Sequence, residues 1–294
     1  MVKKIFNKKS VIEAGWDTEI KPRTGLFDVN FREIWRYRDL LQLFVKRDII
    51  TQYKQTILGP AWFVIQPIMT TIMYMFVFGG IAKIEVSQVV PQALFYLAGI
   101  TMWNYFSDCL NKTSNTFTSN AGIFGKVYFP RLIMPLSVVG SNLIRFAIQM
   151  GLFIIVYLFF VVVKGSAVSP NWYLCLLPLL ILMMAGLALA FGILISSMTT
   201  KYRDLTVLFS FFVQLWMYAT PIIYPLSWIT SPKKQLIMTL NPLTSIIETF
   251  KYGVLGEGTF SWWSLGYSFG FMVVLMGIGI VVFNKVQRSF MDTV

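Results

Sequence analysis

The sequence predicts an all-α integral membrane protein. Six transmembrane helices are preceded by a cytoplasmic amphipathic interface helix, with short re-entrant or periplasmic helices between spans five and six. Three observations lead there. Of 294 residues, 56% are hydrophobic and 13% charged. The charged share of soluble domains is about 25%, so most of this surface must face lipid. Apolar runs recur at about 20 residues, the length that crosses ~30 Å of hydrocarbon. The cations behind the net charge of +12 sit at one end and in short loops, as membrane orientation requires. No recognition helix or RNP-type pattern accompanies them, so nucleic acid is not expected as a partner.

Residues 1–30 form a polar cytoplasmic segment interrupted by Pro22 and Gly25, with room for a short strand around Ser10–Lys21. Its basic start lacks the apolar core of a signal peptide, so the first span is expected to direct insertion. Residues 31–58 read FREIWRYRDLLQLFVKRDIITQYKQTIL. At about 100° per residue, Ile34, Tyr37, Leu41, Phe44 and Val45 gather on one side, opposite Arg32, Arg36, Asp39, Lys46 and Arg47. The pattern decays after Val45 and predicts a bend near Lys46–Asp48. A basic helix with aromatic rings on its apolar side suits the plane of a membrane surface; packing on a protein core is the alternative.

Residues 59–294 hold the spans. The first is Trp62–Ala82, with Pro67 as a kink, and a short link, Lys83–Gln92, follows it. The second, near Ala93–Thr116, is polar at its end through Asp108, Asn111, Lys112 and Asn115. A loop over 119–135 leads to the third, Leu136–Val163, which carries Arg145. The fourth is Tyr173–Met198, then the basic turn TTKYRDL, then the fifth, Thr206–Tyr224. The 225–261 stretch is too short and polar to cross. It contains a helix start, with Asn241 as cap and Pro242 at the first helical position. Leu243, Ile246, Ile247 and Phe250 follow at helical spacing. The sixth span is Ser264–Phe283. With the N-terminus inside, 18 of the 25 Lys and Arg residues fall in inner segments and 5 in outer links. Both termini are therefore expected in the cytoplasm and residues 225–261 outside.

The chemistry is sparse. Histidine is absent, Cys109 and Cys175 read as packing residues, and neither a metal site nor a cofactor is implied. Buried Asp or Glu relays are lacking, which argues against an ion-coupled transporter. No G-x-x-x-x-G-K-[ST] occurs; Gly122–Lys126 (GIFGK) lacks the spacing and the hydroxyl residue. Uphill transport would need a separate ATPase docked on the inner face, and the solvent-facing loop 119–135 is the natural docking element. Aromatic rings at span ends read as an interfacial belt. Tyr74 and Phe78 in span one, and Phe209, Phe212 and Trp216 in span five, lie within the spans. Such rings offer apolar faces to sugar C–H edges, as a glycan conduit would need, although packing accounts equally well for any one of them.

The runs WRYRDLL (35–41), KRDIITQYKQTILGPAW (46–62), KVYFPRLIMPL (126–136), KYRDL (201–205), TPIIYPLS (220–227) and LNPLT (240–244) carry a resemblance in their order and spacing. Together they resemble the permease subunits of O-antigen polysaccharide ABC exporters, the Wzm/TagG-like branch of the type-2 ABC transporters. The resemblance implies a homodimer in the bacterial inner membrane above two copies of a Wzt-like ATPase, which would bring ATP and Mg. The cargo would be an undecaprenyl-diphosphate-linked polysaccharide, with teichoic acid or capsule as alternatives. It implies a diphosphate interface at Lys46, Arg47, Tyr53, Lys54 and Arg131. ATPase coupling would run through Gly125, Lys126, Tyr128, Phe129, Pro130 and Arg131. Tyr74, Phe78, Phe209, Phe212, Trp216 and Tyr224 would line the channel, and 225–261 would form its outer gate. A membrane-embedded glycan enzyme would need loop carboxylates, of which only Glu248 and Glu257 stand out.

Overall fold

The computed structural model describes residues 31–290 except residues 55, 85, 87, 88, 125, 200, 201 and 203. The strand considered over Ser10–Lys21 lies outside the described residues. Among those described, every regular element is helical. The chain opens with α1 (Phe31–Arg36) and α2 (Arg38–Tyr53), separated at Tyr37. The predicted bend near Lys46–Asp48 is therefore absent: α2 runs straight through it, and the break falls nine residues earlier. Phe44 explains the continuity, since its burial in the bundle (6% exposed) holds this part of α2 against the core.

A turn at Gly59–Ala61 feeds α3 (Trp62–Tyr74), which continues as π-helix through Ile81. Gly59 has φ 49, a left-handed value that glycine adopts without cost. Next come α4 (Gln92–Ser114), the short α5 (Thr116–Ser119) and α6 (Ala121–Phe124), then α7 (Ile133–Leu158), which continues as π-helix to Val163. A tight turn over Trp172–Leu176 opens α8 (Leu177–Thr199), and α9 covers Leu205–Tyr218. The last three helices are α10 (Pro232–Leu240), α11 (Pro242–Leu255) and α12 (Trp262–Phe290).

Among the described residues, four stretches are long and apolar enough to cross a membrane: Gly59–Ile81, Ile133–Val163, Trp172–Thr199 and Trp262–Val286. The other two predicted spans differ, each for its own reason. α4 has 23 residues, about 35 Å at 1.5 Å per residue, but it is the least lipid-like of the long helices. It packs along α7 on one side and α8 on the other, and residues from Leu94 to Met102 are all buried. A helix wrapped in protein has no need of a lipid-like surface. The apolar helix α9 has 14 residues and stops at Tyr218, short of the predicted Tyr224. Pro221, which cannot donate a helical N–H, sits in the corner that follows.

The core runs along α4. Close approach of α4 and α8 depends on Gly192, where a Cβ would stand 2.5 Å from Thr113 Cβ. α12 covers the far side of α8. α11 begins as predicted: Asn241 Oδ1 accepts from the Leu243 N–H at 3.1 Å, with Pro242 in the first turn. It ends on Gly256 at φ 75, the left-handed helix stop glycine provides.

Candidate functional site

Charged and polar groups collect at the two ends of α4. Asn111, Lys112 and Asn115, at the end nearer α2, line a cavity of about 480 Å³ together with Arg47 and Asp48 of α2 and Ser137 of α7. The Arg47 guanidinium donates through Nε and Nη2 to Asp48 Oδ1 at 3.0 and 2.8 Å, and it lies 4.8 Å over the Phe44 ring. Lys112 Nζ donates to Asn142 Oδ1 at 3.1 Å. One turn deeper, Asp108 and Arg145 form an ion pair at 2.8 Å. The Arg145 guanidinium also sits 4.6 Å over Phe63 and donates weakly to Gln66 Oε1 at 3.4 Å, so the cluster ties α3, α4 and α7 together. Asp108 of α4 and Arg145 of α7, distant in sequence, are thus partners.

Of the residues that the resemblance assigns to a diphosphate, Arg47 alone lines this cavity. Lys46 and Lys54 are exposed on and just beyond α2. Tyr53 closes α2, and its side chain lies outside those described. Arg131 is buried instead, 8% exposed, with its guanidinium 5.6 Å over the Phe124 ring. This corrects the expectation that the whole 119–135 loop faces solvent. Phe124 and Phe129, with rings 5.8 Å apart, turn into a second core with Phe44, Phe117 and Phe283. Pro130 is buried beside them. The outward tip of this loop is therefore Lys126, Val127 and Tyr128, the last two 57% and 52% exposed. Gly125 lies outside the described residues.

The apolar stripe of α2 falls where periodicity places it, but protein rather than a membrane surface covers it. Phe44 and its neighbours Leu41 and Tyr37 pack into the second core, so this stripe meets protein. A different stripe, Leu43 and Ile50, is left bare. Seven residues apart on one helix, they share a face.

The predicted channel rings divide into packed and open ones. Trp216 meets Phe106 at 5.5 Å and Phe191 at 5.1 Å edge-on, so it is half locked into the core. Tyr74 packs edge-on with Phe78 and Tyr96 and donates to Met217 Sδ at 3.5 Å, joining α3 to α9. Phe78 and Phe209 are partly buried against the core. Phe212 remains more than half exposed. Tyr224 donates to the Tyr218 carbonyl at 2.9 Å and so closes the corner after α9.

At the other end of α4 lies a feature that sequence reasoning missed. Lys251, counted as an outer-link cation, is fully buried on α11. Its Nζ donates to the Pro221 and Ile222 carbonyls at 2.7 and 3.2 Å and stands 3.5 Å from the centre of the Phe95 ring. Glu248, one turn earlier, is 2% exposed and accepts from Thr259 N at 3.0 Å and Thr259 Oγ1 at 3.3 Å. Burial pushes the Lys251 ammonium well below the usual lysine range, and the nearby Glu248 carboxylate opposes that shift. Burial likewise raises Glu248, with Lys251 and the Thr259 donors pulling the other way. The signal available in the sequence was the i, i+3 spacing of these opposite charges inside an otherwise apolar helix.

Among the described residues no cluster of metal-ligating side chains occurs. The arrangement is a helical bundle with a basic helix beside a polar cleft at one end and buried charge on turn carbonyls at the other. The chain is 29% identical over 258 residues, 86% of this chain and 94% of the other, to an O-antigen export system permease protein RfbA of Klebsiella pneumoniae. It is 28% identical over 224 residues, 75% of this chain and 82% of the other, to the protein of the same name in Myxococcus xanthus. Residues 39–255 match the ABC-2 type transporter family, and with most of its length so covered the chain belongs to that family.

Proposed function

We propose that this chain is the transmembrane subunit of an ATP-driven exporter that moves undecaprenyl-diphosphate-linked O-antigen polysaccharide from cytoplasm to periplasm. Two copies form the channel, each with six crossings in the bacterial inner membrane and both termini in the cytoplasm. Two copies of a nucleotide-binding ATPase lie beneath them. The observation that carries this reading is the match to O-antigen export permeases over 86% of the chain. In this reading hydrolysis belongs to the partner subunit, and the lack of a phosphate-binding loop in the sequence fits that division.

In this reading α4 and α9 complete the six crossings, α4 shielded by protein and α9 by the second copy. The exposed apolar residues Leu208, Phe211, Phe212 and Leu215 on α9 suit that contact and the channel wall. Tyr74, Phe78, Phe209, Trp216 and Tyr224 extend the aromatic lining. Lys46 and Lys54 meet the cargo's diphosphate by charge-assisted hydrogen bonding at the membrane surface. Arg47, Tyr53 and Arg131 support that region of α2 and the loop. The Lys126–Tyr128 tip seats in the ATPase, and its aromatic anchors pass the motion to α2 as one rigid body. Residues 225–261 close the periplasmic side.

Proteoliposomes containing the chain and its ATPase, loaded with lipid-linked polysaccharide on the ATP side, test the reading. ATP-dependent appearance of glycan on the opposite side is expected. Transport by the chain without ATPase or nucleotide would overturn it.

A further inference from the structure

We propose that the cavity between α2, α4 and α7 binds the phosphodiester head group of an anionic glycerophospholipid, a site separate from the path of the cargo. Its volume, about 480 Å³, lies within the roughly 300–1,000 Å³ of small-ligand sites. The wall is polar, with Arg47, Lys112, Asn111 and Asn115 able to donate hydrogen bonds, the Ser137 hydroxyl already donating to the Met134 carbonyl, and Asp48 the one carboxylate. Asp48 is already held by Arg47 at 2.8 Å. Lys112 makes its one side-chain hydrogen bond, among the described residues, to the neutral Asn142. The wall is therefore left with one unbalanced positive charge, and the neighbouring Asp108–Arg145 pair adds none.

That charge decides the class of ligand. A phosphodiester brings one negative charge and oxygens that accept from ammonium, guanidinium and amide donors. A diphosphate brings more negative charge than the wall can balance, and partial burial makes the excess costly. The position decides the source. Arg47 borders the bare Leu43–Ile50 stripe of α2, where those side chains are 60% and 45% exposed. A surface helix with an apolar stripe beside a cation sits at the level of lipid head groups. An acyl chain can lie along that stripe while the phosphate enters the cavity. A lipid so held would brace α2 against α4 and α7.

The test is native mass spectrometry of the full-length chain in detergent, titrated with phosphatidylglycerol. One tightly retained phosphatidylglycerol per chain is expected, with zwitterionic phosphatidylcholine retained less. Asn111→Asp keeps the side chain's shape at a half-buried position and cancels the surplus charge, so it should weaken retention by about tenfold or more, as should Lys112→Met. Lys234→Gln on α10 serves as the distant control. Retention unchanged in Asn111→Asp, or equal for phosphatidylcholine, overturns the proposal. Displacement by undecaprenyl diphosphate at lower concentration than phosphatidylglycerol would assign the cavity to cargo instead. Equal competition by inorganic phosphate would make it a solute site.

Discussion

The two ends of α4 use the same ingredients to opposite effect. Near α2, Lys112, Asp108 and Arg145 are paired with side chains projecting from neighbouring helix faces, and a cavity of about 480 Å³ stays open beside Lys112. Near α11, Lys251 donates to two backbone carbonyls and Glu248 Oε2 accepts from the backbone and hydroxyl of Thr259. The space left beside Glu248 is about 30 Å³, room for one water. Backbone acceptors come with their turns attached, so a charge that uses them pulls the chain tight. Gly99 allows this: a Cβ there would stand 2.9 Å from Ile222 Cγ2 and 3.0 Å from its carbonyl oxygen. Side-chain partners can rearrange without unmaking a turn. The α11 end is thus closed around its charges, and the α2 end is left open.

The contrast breaks most sharply at Lys251. Lys251→Met should lower stability by about 3–5 kcal/mol, because it leaves Glu248 buried without its counter-charge and strands two carbonyls. Thermal unfolding in detergent reads this, and a loss below about 1 kcal/mol would refute the staple. Asp108→Asn should cost less, about 1.5–3 kcal/mol, since Asp108 and Arg145 keep 30% and 17% of their side-chain surface. Near-equal losses in the two variants would erase the distinction between the ends. Arg131→Glu should destabilise the aromatic core by about 1–3 kcal/mol, where a solvent-facing arginine would have tolerated the change. The smallest stability effects belong to the open rings. Phe212→Ala and Tyr128→Ala should stay within about 0.5 kcal/mol of the parent. Glycan export should nevertheless fall in the first, and ATPase-coupled export in the second, measured as surface polysaccharide. Normal export in both would leave the lining and coupling roles without support.

Much of the architecture was legible because its causes are local. Asn241 and Pro242 start α11 where the sequence says a helix should start, since capping needs only adjacent atoms. The long apolar runs became the membrane-length helices α3, α7, α8 and α12. Less was legible where a face had to be chosen. Periodicity placed Phe44, Leu41 and Tyr37 on one stripe of α2, yet could not say whether lipid or protein covers it. Protein does, and Leu43 and Ile50 are left outward. The loop 119–135 reads as uniformly polar and turn-rich, while Phe124, Phe129 and Arg131 in fact fold under it.

By itself the sequence determined that this chain lives in a membrane, roughly where it crosses and how its cations are distributed, because hydropathy and net charge add up along the chain. The tertiary structure alone decided which charge answers which. Asp108 finds Arg145 on another helix, Lys251 finds the carbonyls after α9, and Arg47 borders a cavity whose other walls come from α4 and α7. Electrostatic and hydrogen-bond partners are chosen by distance in space, and that distance exists only once the helices have packed.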